Sequence, residues 1–181
     1  DNLAAELHQF SSFSSVAGAS FSPSMGRSHS TGFFVEGDSI EKSLNHFAVD
    51  RDYMQNMSIP LIAGTDFPEN ASREHEQYII INETAVSFLG FETMHDALGK
   101  MIREEDQEPL QIIGVVADYH HQPLTEEIKP MALRYNPERF TQVQVKYSGE
   151  RDDAIANIEE AWAKVNPEKK LEYHYMDEEI S

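Results

Sequence analysis

The sequence predicts an α+β domain, with helices packed on one side of a β-sheet and a second lobe inserted near residues 64–138. Three patterns lead there. In the last third, Val143, Val145 and Tyr147 alternate with Gln142, Gln144 and Lys146, the period of a half-buried strand. Ile155, Ile158, Trp162 and Val165 then form a helical stripe that Asn166-Pro167 stops, and Leu171, Tyr173 and Tyr175 resume alternation, so strand–helix–strand is expected. Finally, Leu110 to Asp118 is apolar on both faces, as in a strand covered from two sides.

The other elements follow in chain order. Leu3, Leu7 and Phe10 mark an opening helix that Asn2 can cap, and Val16–Phe21 reads as a strand halted by Pro23. Ser22 to Thr31, rich in Ser, Gly and Pro, is a loop. Strands are expected at Gly32–Glu36 and Ser43–Val49 around the turn signal Gly37-Asp38. Asp50-Arg51-Asp52 opens a short helix with Tyr53, Met54 and Met57 inward, and Pro60–Gly64 is extended. Asp66 to Gln77 is a polar loop. Tyr78–Ile81 is a buried strand leading into a helix that Asn82 caps, with Ala85, Val86 and Leu89 inward and Gly90 at its end. Met131–Tyr135 is a further strand.

Composition excludes several functions. The 181 residues carry 32 acidic against 14 basic side chains, a formal charge of -18, which repels phosphate backbones and argues against nucleic-acid binding. The chain has no cysteine, so disulfides, thiolate metal sites and cysteine nucleophiles are out. No apolar run approaches the roughly 18 residues that span a bilayer. The opening Asp1 reads as a piece of a longer chain or a processed one.

Only one constellation invites a chemical reading. Asp118, His120 and His121 follow the most apolar strand, and carboxylate plus imidazole can bind zinc or move protons. Adjacent histidines face opposite sides of a strand, however, and neither an HExxH spacing, a Gly-x-Ser-x-Gly elbow nor a Gly-Lys-Ser phosphate loop occurs. The favoured expectation is therefore no catalytic residue, no metal and no cofactor. Gly64, Asp66, Asn82 and Gly114 are expected as structural turn and cap residues.

An ordered series of segments carries a resemblance. Val49-Asp50-Arg51-Asp52-Tyr53-Met54 leads to Ile59-Pro60-Leu61-Ile62-Ala63-Gly64-Thr65-Asp66-Phe67, then Ile81-Asn82-Glu83-Thr84-Ala85 and Leu98-Gly99-Lys100-Met101-Ile102. Ile112-Ile113-Gly114-Val115-Val116-Ala117-Asp118-Tyr119-His120, Ile128-Lys129-Pro130 and Tyr175-Met176-Asp177-Glu178 complete it. Together they resemble the MacB-like periplasmic core domain of FtsX-like ABC-transporter permeases. The resemblance implies a porter-like α/β lobe (1–63 and 139–181) and an inserted sabre-like lobe (64–138). It implies an extracytoplasmic domain of a bacterial inner-membrane permease that relays cytoplasmic ATP-driven motion without catalysis of its own. The implied partners are a cytoplasmic ATP-binding subunit acting through membrane helices, a second copy of the permease, and a periplasmic adaptor, peptide or lipoprotein cargo. It also implies a strand before the first helix, which Asp1 leaves outside this sequence, and ends that lie close together. A solute-binding or sensor module, which would need an apolar pocket between lobes, and a metal-dependent hydrolase using Asp118, His120 and His121 are the alternatives.

Overall fold

The computed structural model describes residues 2–20, 29–71, 75–119 and 127–175. The elements are α1 (Asn2–Leu7), β1 (Phe13–Ala19), β2 (His29–Val35), β3 (Glu41–Ala48), α2 (Tyr53–Asn56), β4 (Leu61–Gly64), β5 (Tyr78–Asn82), α3 (Glu83–Leu89), α4 (Met94–Ala97), β6 (Met101–Arg103), β7 (Leu110–Val116), β8 (Met131–Arg134), β9 (Gln142–Tyr147) and α5 (Arg151–Val165). The fold is α+β.

Seven strands form one sheet in the order β4-β7-β5-β8-β3-β2-β6, and β6 also pairs with β7. Pairing thus runs round a closed ring of six strands, with β4 alongside β7. Closure leaves fewer unpaired edges exposed to other chains. Strand β5 lies parallel to β7 and β3 parallel to β8. Parallel neighbours are covered on both faces, which accounts for the full burial of β8 and of Ile79, Ile80 and Ile81.

Alternation divides the sheet's apolar side chains into two cores. Phe33, Leu44, Ile79, Ile81, Ile112 and Val115 pack with Ala85, Val86 and Leu89 of α3. On the opposite face Phe47, Val49, Ile80, Met131 and Leu133 meet Tyr53 and Met54 of α2 and Ala17 and Ala19 of β1. Ile112 and Val115 share a face despite odd spacing because the β5–β7 register skips a residue between Ile79 and Ile80, inserting Ile113.

A second layer is built from β1 and β9, antiparallel and joined at six positions from Phe13↔Tyr147 to Ala19↔Gln142. Helices α1 and α5 cover one of its faces, Leu7, Ala154 and Ala161 packing with Phe13 and Val16 of β1. Strands β2, β3 and β4, which the expected division at 63/64 placed with this layer, lie instead in the seven-stranded sheet. Leu44 and Phe47 of β3 are apolar on both faces and need covering from two sides, which the parallel neighbour β8 and its layers supply.

Three local expectations are corrected. Residues 171–175 alternate but pair with no strand among the described residues; alternation creates a strand only where a neighbour offers hydrogen bonds. Tyr173 is accordingly exposed, and Arg151 stacks 4.0 Å over the Tyr175 ring. The buried line of α5 is Ala154 and Ala161, not Ile155 and Trp162. Small residues let the helix approach the thin two-stranded layer, and Trp162 stays half-buried, its Nε1 donating to the Lys169 carbonyl at 2.6 Å. Asn2 is the first helical residue of α1, not its cap.

Asn2 and Leu3 lie beside Val165 and Asn166, and Lys164 reaches Glu6 at 3.5 Å. The chain then doubles back to bring Tyr175 to Arg151, at the far end of a helix about 22 Å long. Asp1 and Ser181 lie outside the described residues.

Candidate functional site

Asp118 is the described member of the Asp118, His120, His121 constellation; the two histidines lie outside the described residues. Its carboxylate is committed to the start of α3. Oδ1 accepts from the Thr84 backbone N–H at 3.0 Å and Oδ2 from the Thr84 hydroxyl at 2.7 Å, while the Asp118 N–H donates to Glu83 Oε2 at 3.0 Å. Asn82 works from the other side. Its Oδ1 accepts from Ala85 N at 3.1 Å and Met131 N at 2.9 Å, and its Nδ2 donates to the Lys129 carbonyl at 3.1 Å. Two side chains thus tie the ends of β5, β7 and β8 to one helix. Among the described residues no three His, Asp or Glu side chains are grouped to hold a metal ion. Asp118→Ala is expected to lower stability by about 1–2 kcal/mol, the usual value of a cap, read as a fall in the urea midpoint.

The remaining turn residues cluster at β4 and β7. Gly64 has φ +77 and pairs directly with Gly114. Strand β7 approaches so closely that a Cβ on Gly114 would lie 2.6 Å from the Thr65 carbonyl oxygen. The Asp66 carboxyl accepts from the Phe67 N–H at 2.6 Å, and burial raises its pKa above the ordinary aspartate value.

A polar cluster that sequence reasoning did not single out lies at the end of β8. Arg134 is 7% exposed. Its Nε donates to Glu76 Oε2 at 2.6 Å and its Nη1 to Glu104 Oε1, while Asn136 Nδ2 donates to Glu76 Oε1 at 2.6 Å. These groups join the lead-in to β5, the exit of β6 and the end of β8. Nearby on β3, His46 is 4% exposed and shares a 3.0 Å hydrogen bond with the Thr31 hydroxyl. The legible signal was the cation closing Met131-Ala132-Leu133-Arg134, an otherwise apolar strand: a buried charge must be paired.

Burial, then the cations of Arg134 and Arg139, push His46 down to about 4. Asp50 moves the other way, up to about 6, chiefly by burial, opposed by the hydrogen bond it accepts from the Gly18 N–H. Linkage gives opposite signs. His46 stays neutral in the fold, so its contribution is complete above pH 6.5 and is lost as pH falls toward 4. Asp50 takes up its proton more readily in the fold, so its contribution is complete below pH 3.8 and is lost as pH rises through 6. Replacing His46 by Asn is therefore expected to turn a loss of stability between pH 7 and pH 5 into a gain, measured as urea midpoints in both chains.

Two of the concavities among the described residues are formed by α1 with the end of α5, and by Phe34–Asp38 with Met101–Arg103 and Pro109. Neither lies between the two layers. Among the described residues no helix is long and apolar enough to cross a membrane.

No family model matches the sequence, and no curated protein does. Solved structures do. The periplasmic region of MacB from Actinobacillus actinomycetemcomitans is 19% identical with a TM-score of 0.59, covering 90% of this chain and 72% of its own. The extracellular domain of the ABC-type transporter YknZ from Gram-positive bacteria is 16% identical with a TM-score of 0.64, covering 92% and 82%. The chain has the fold of the MacB periplasmic region. A Porphyromonas gingivalis domain described as part of a permease protein adds 12% identity and a TM-score of 0.62, over 88% of this chain and 68% of its own. Within this fold Asn82 and Asp118 accept from the first N–H groups of α3, and Gly64 faces Gly114 across β4 and β7.

Proposed function

We propose that this chain is an extracytoplasmic domain of an ABC-type transporter permease and that it relays ATP-driven motion to partners outside the membrane. The observation that carries the reading is a fold shared over 88–92% of the chain with three domains taken from transporters or permeases. The polar side chains support it too. Asp118, Asn82, Arg134, Glu76 and Glu104 are engaged with one another or with backbone, the pattern of a structural part. In this reading the domain performs no chemistry, and hydrolysis belongs to a cytoplasmic ATP-binding subunit reached through membrane helices.

The two-lobe division then follows the layers. The layer of α1, β1, β9 and α5 is the porter-like part, and the seven-stranded sheet holds the inserted part. A second permease copy completes the transporter, and an adaptor, peptide or lipoprotein is the partner class outside. Such a partner meets an acidic surface, so basic groups on it would be favoured.

The test is fractionation of the full-length gene product in its own cell. It is expected in the inner-membrane fraction, with this domain cleaved by protease added from outside the inner membrane and an ATPase subunit retained on purification. A full-length product found wholly in the soluble cytoplasmic fraction would end the reading.

A further inference from the structure

The two layers meet along a seam whose halves differ in chemistry. On the β1 side the contact is apolar and pinned. Ala17 and Ala19 pack with Phe47, Val49 and Tyr53, all buried. Hydrogen bonds bind the strand ends together: Ser20 N to the Ala48 carbonyl at 2.8 Å, Ala48 N to Ser20 Oγ at 2.9 Å, and Asp50 N to the Gly18 carbonyl at 3.0 Å. The Asp50 carboxylate closes the joint by accepting from Gly18 N and, at 3.1 Å, from Asp52 N. Gly18 has no room for a side chain here, since its Cβ would lie 2.6 Å from the Phe140 ring.

On the β9 side the contact is polar and unpinned. Gln142 and Gln144 lie opposite Ala19 and Ala17 in register, so they share the face turned toward α2. Gln144 is 7% exposed, yet among the described residues neither its Nε2 nor its Oε1 has a hydrogen-bond partner. Gln142 Nε2 and Asn56 Oδ1, the latter on α2, are buried and among the described residues have no partner either. Lys146, at the seam's exposed end, reaches across to Ser58 Oγ at 3.4 Å. Leaving a buried amide unmatched is destabilising, because it forfeits its hydrogen bonds to water without replacement. An apolar filling would have avoided that cost and locked the two surfaces by close packing.

We propose that this seam is a hinge: the layer of α1, β1, β9 and α5 turns against the seven-stranded sheet about the Gly18–Asp50 and Ser20–Ala48 hydrogen bonds, while the unmatched amide atoms of Gln142, Gln144 and Asn56 take up partners as β9 slides over α2. Amides supply both donors and acceptors, so a shifted register across the seam finds new pairs where interlocked aliphatic side chains would find overlap. The axis lies on β1, where contacts are fixed, and the travel is largest on β9. This deepens the relay reading and rests on it, because a relay needs a part that moves.

The chain has no cysteine, so a pair of spin labels can be placed without background. Ser87→Cys on α3 and Glu159→Cys on α5 put exposed labels on opposite sides of the seam. The expected distance distribution has two maxima, which Gln144→Met collapses to one by filling the seam with an apolar chain of similar length. If Gln144→Met does not fold, Gln142→Met is expected to give the same collapse. A single narrow maximum in the chain with Gln144 and Gln142 intact overturns the hinge, and two maxima persisting in a folded Met variant overturn the role of the amides. Either failure leaves membrane fractionation, and with it the permease reading, untouched.

Discussion

Replacing Arg134 with Met is expected to cost about 3–5 kcal/mol, enough to leave much of the chain unfolded at 37 °C. The residue is almost wholly buried, and two carboxylates, Glu76 and Glu104, converge on its guanidinium. Removing the cation does not merely delete two hydrogen bonds. It leaves two acids of low exposure facing each other with no positive partner, and the desolvation they suffered on folding is no longer offset. Asn136 would still donate to Glu76, so Glu104 bears more of the loss. The control is the triple replacement Arg134→Met, Glu76→Gln and Glu104→Leu, which removes every charge together. That chain is expected to recover most of the stability, since a buried ionic group replaced whole by neutral packing is often neutral or favourable. Urea midpoints of the three chains decide it. A single Arg134→Met variant within 1 kcal/mol of the parent would mean that the cluster is wet and weak.

Much of the sheet was legible because its signals are local. Tyr78–Ile81 and Met131–Leu133 are short continuous apolar runs, and their length with flanking breakers favours a buried strand over a helix. The Asn82 cap with Gly90 ending α3 is likewise written within nine residues. What stayed hidden depends on distant partners. Alternation at Leu171–Tyr175 is as regular as at Gln142–Tyr147, but only the second segment lies against a strand, β1, more than a hundred residues earlier. Similarly, the face of α5 was misplaced because the stripe Ile155, Ile158, Trp162 looks more apolar than Ala154 and Ala161. Helix face is set by how near the backbone must come to a thin layer, and that is a property of the layer. The assignment of β2 and β3 to the larger sheet was also beyond local reading, since it turns on the parallel pairing of β3 with β8 across some ninety residues.

For the candidate site the same division holds. Asp118 was visible as a polar residue following an apolar strand, where a metal role was weighed and not favoured. Its partners, Thr84 and Glu83, are more than thirty residues away, so the local sequence could not name them. Arg134 was the reverse case. One charge at the end of an apolar strand is a local sign of a buried pair, but Glu76 and Glu104 can be identified as its partners only once β5, β6 and β8 are assembled. Functional meaning was carried by the order of many weak segments, which fits a domain whose residues are spent on holding shape.

Gly64→Ala should be at least as damaging as losing Arg134, for reasons in the backbone alone. Gly64 occupies φ +77, where an L side chain costs about 1–2 kcal/mol before any contact is counted. Contact then adds more. A Cβ there would overlap the Ile113 carbonyl oxygen, lie 2.9 Å from the Cα of Gly114 and 2.7 Å from a methyl of Leu98. The methyl can rotate away, but the carbonyl and the Cα belong to β7, which is hydrogen-bonded to β5 on its other side. Relief therefore requires β4 to lift from β7 at Gly64, breaking the bond from Thr65 N to the Ile113 carbonyl at 2.9 Å. Strand β4 is four residues long and has one strand neighbour, so it has little else to hold it. The expected result is a chain in which amide exchange quickens first from Leu61 to Thr65 and along the facing half of β7, with a total loss above about 3 kcal/mol. Ala at Gly37, which also has positive φ but meets nothing within 4 Å, is the comparison: it pays the conformational cost alone and should lose only about 1–2 kcal/mol. Equal losses at the two positions would show that the close approach of β4 to β7 adds nothing.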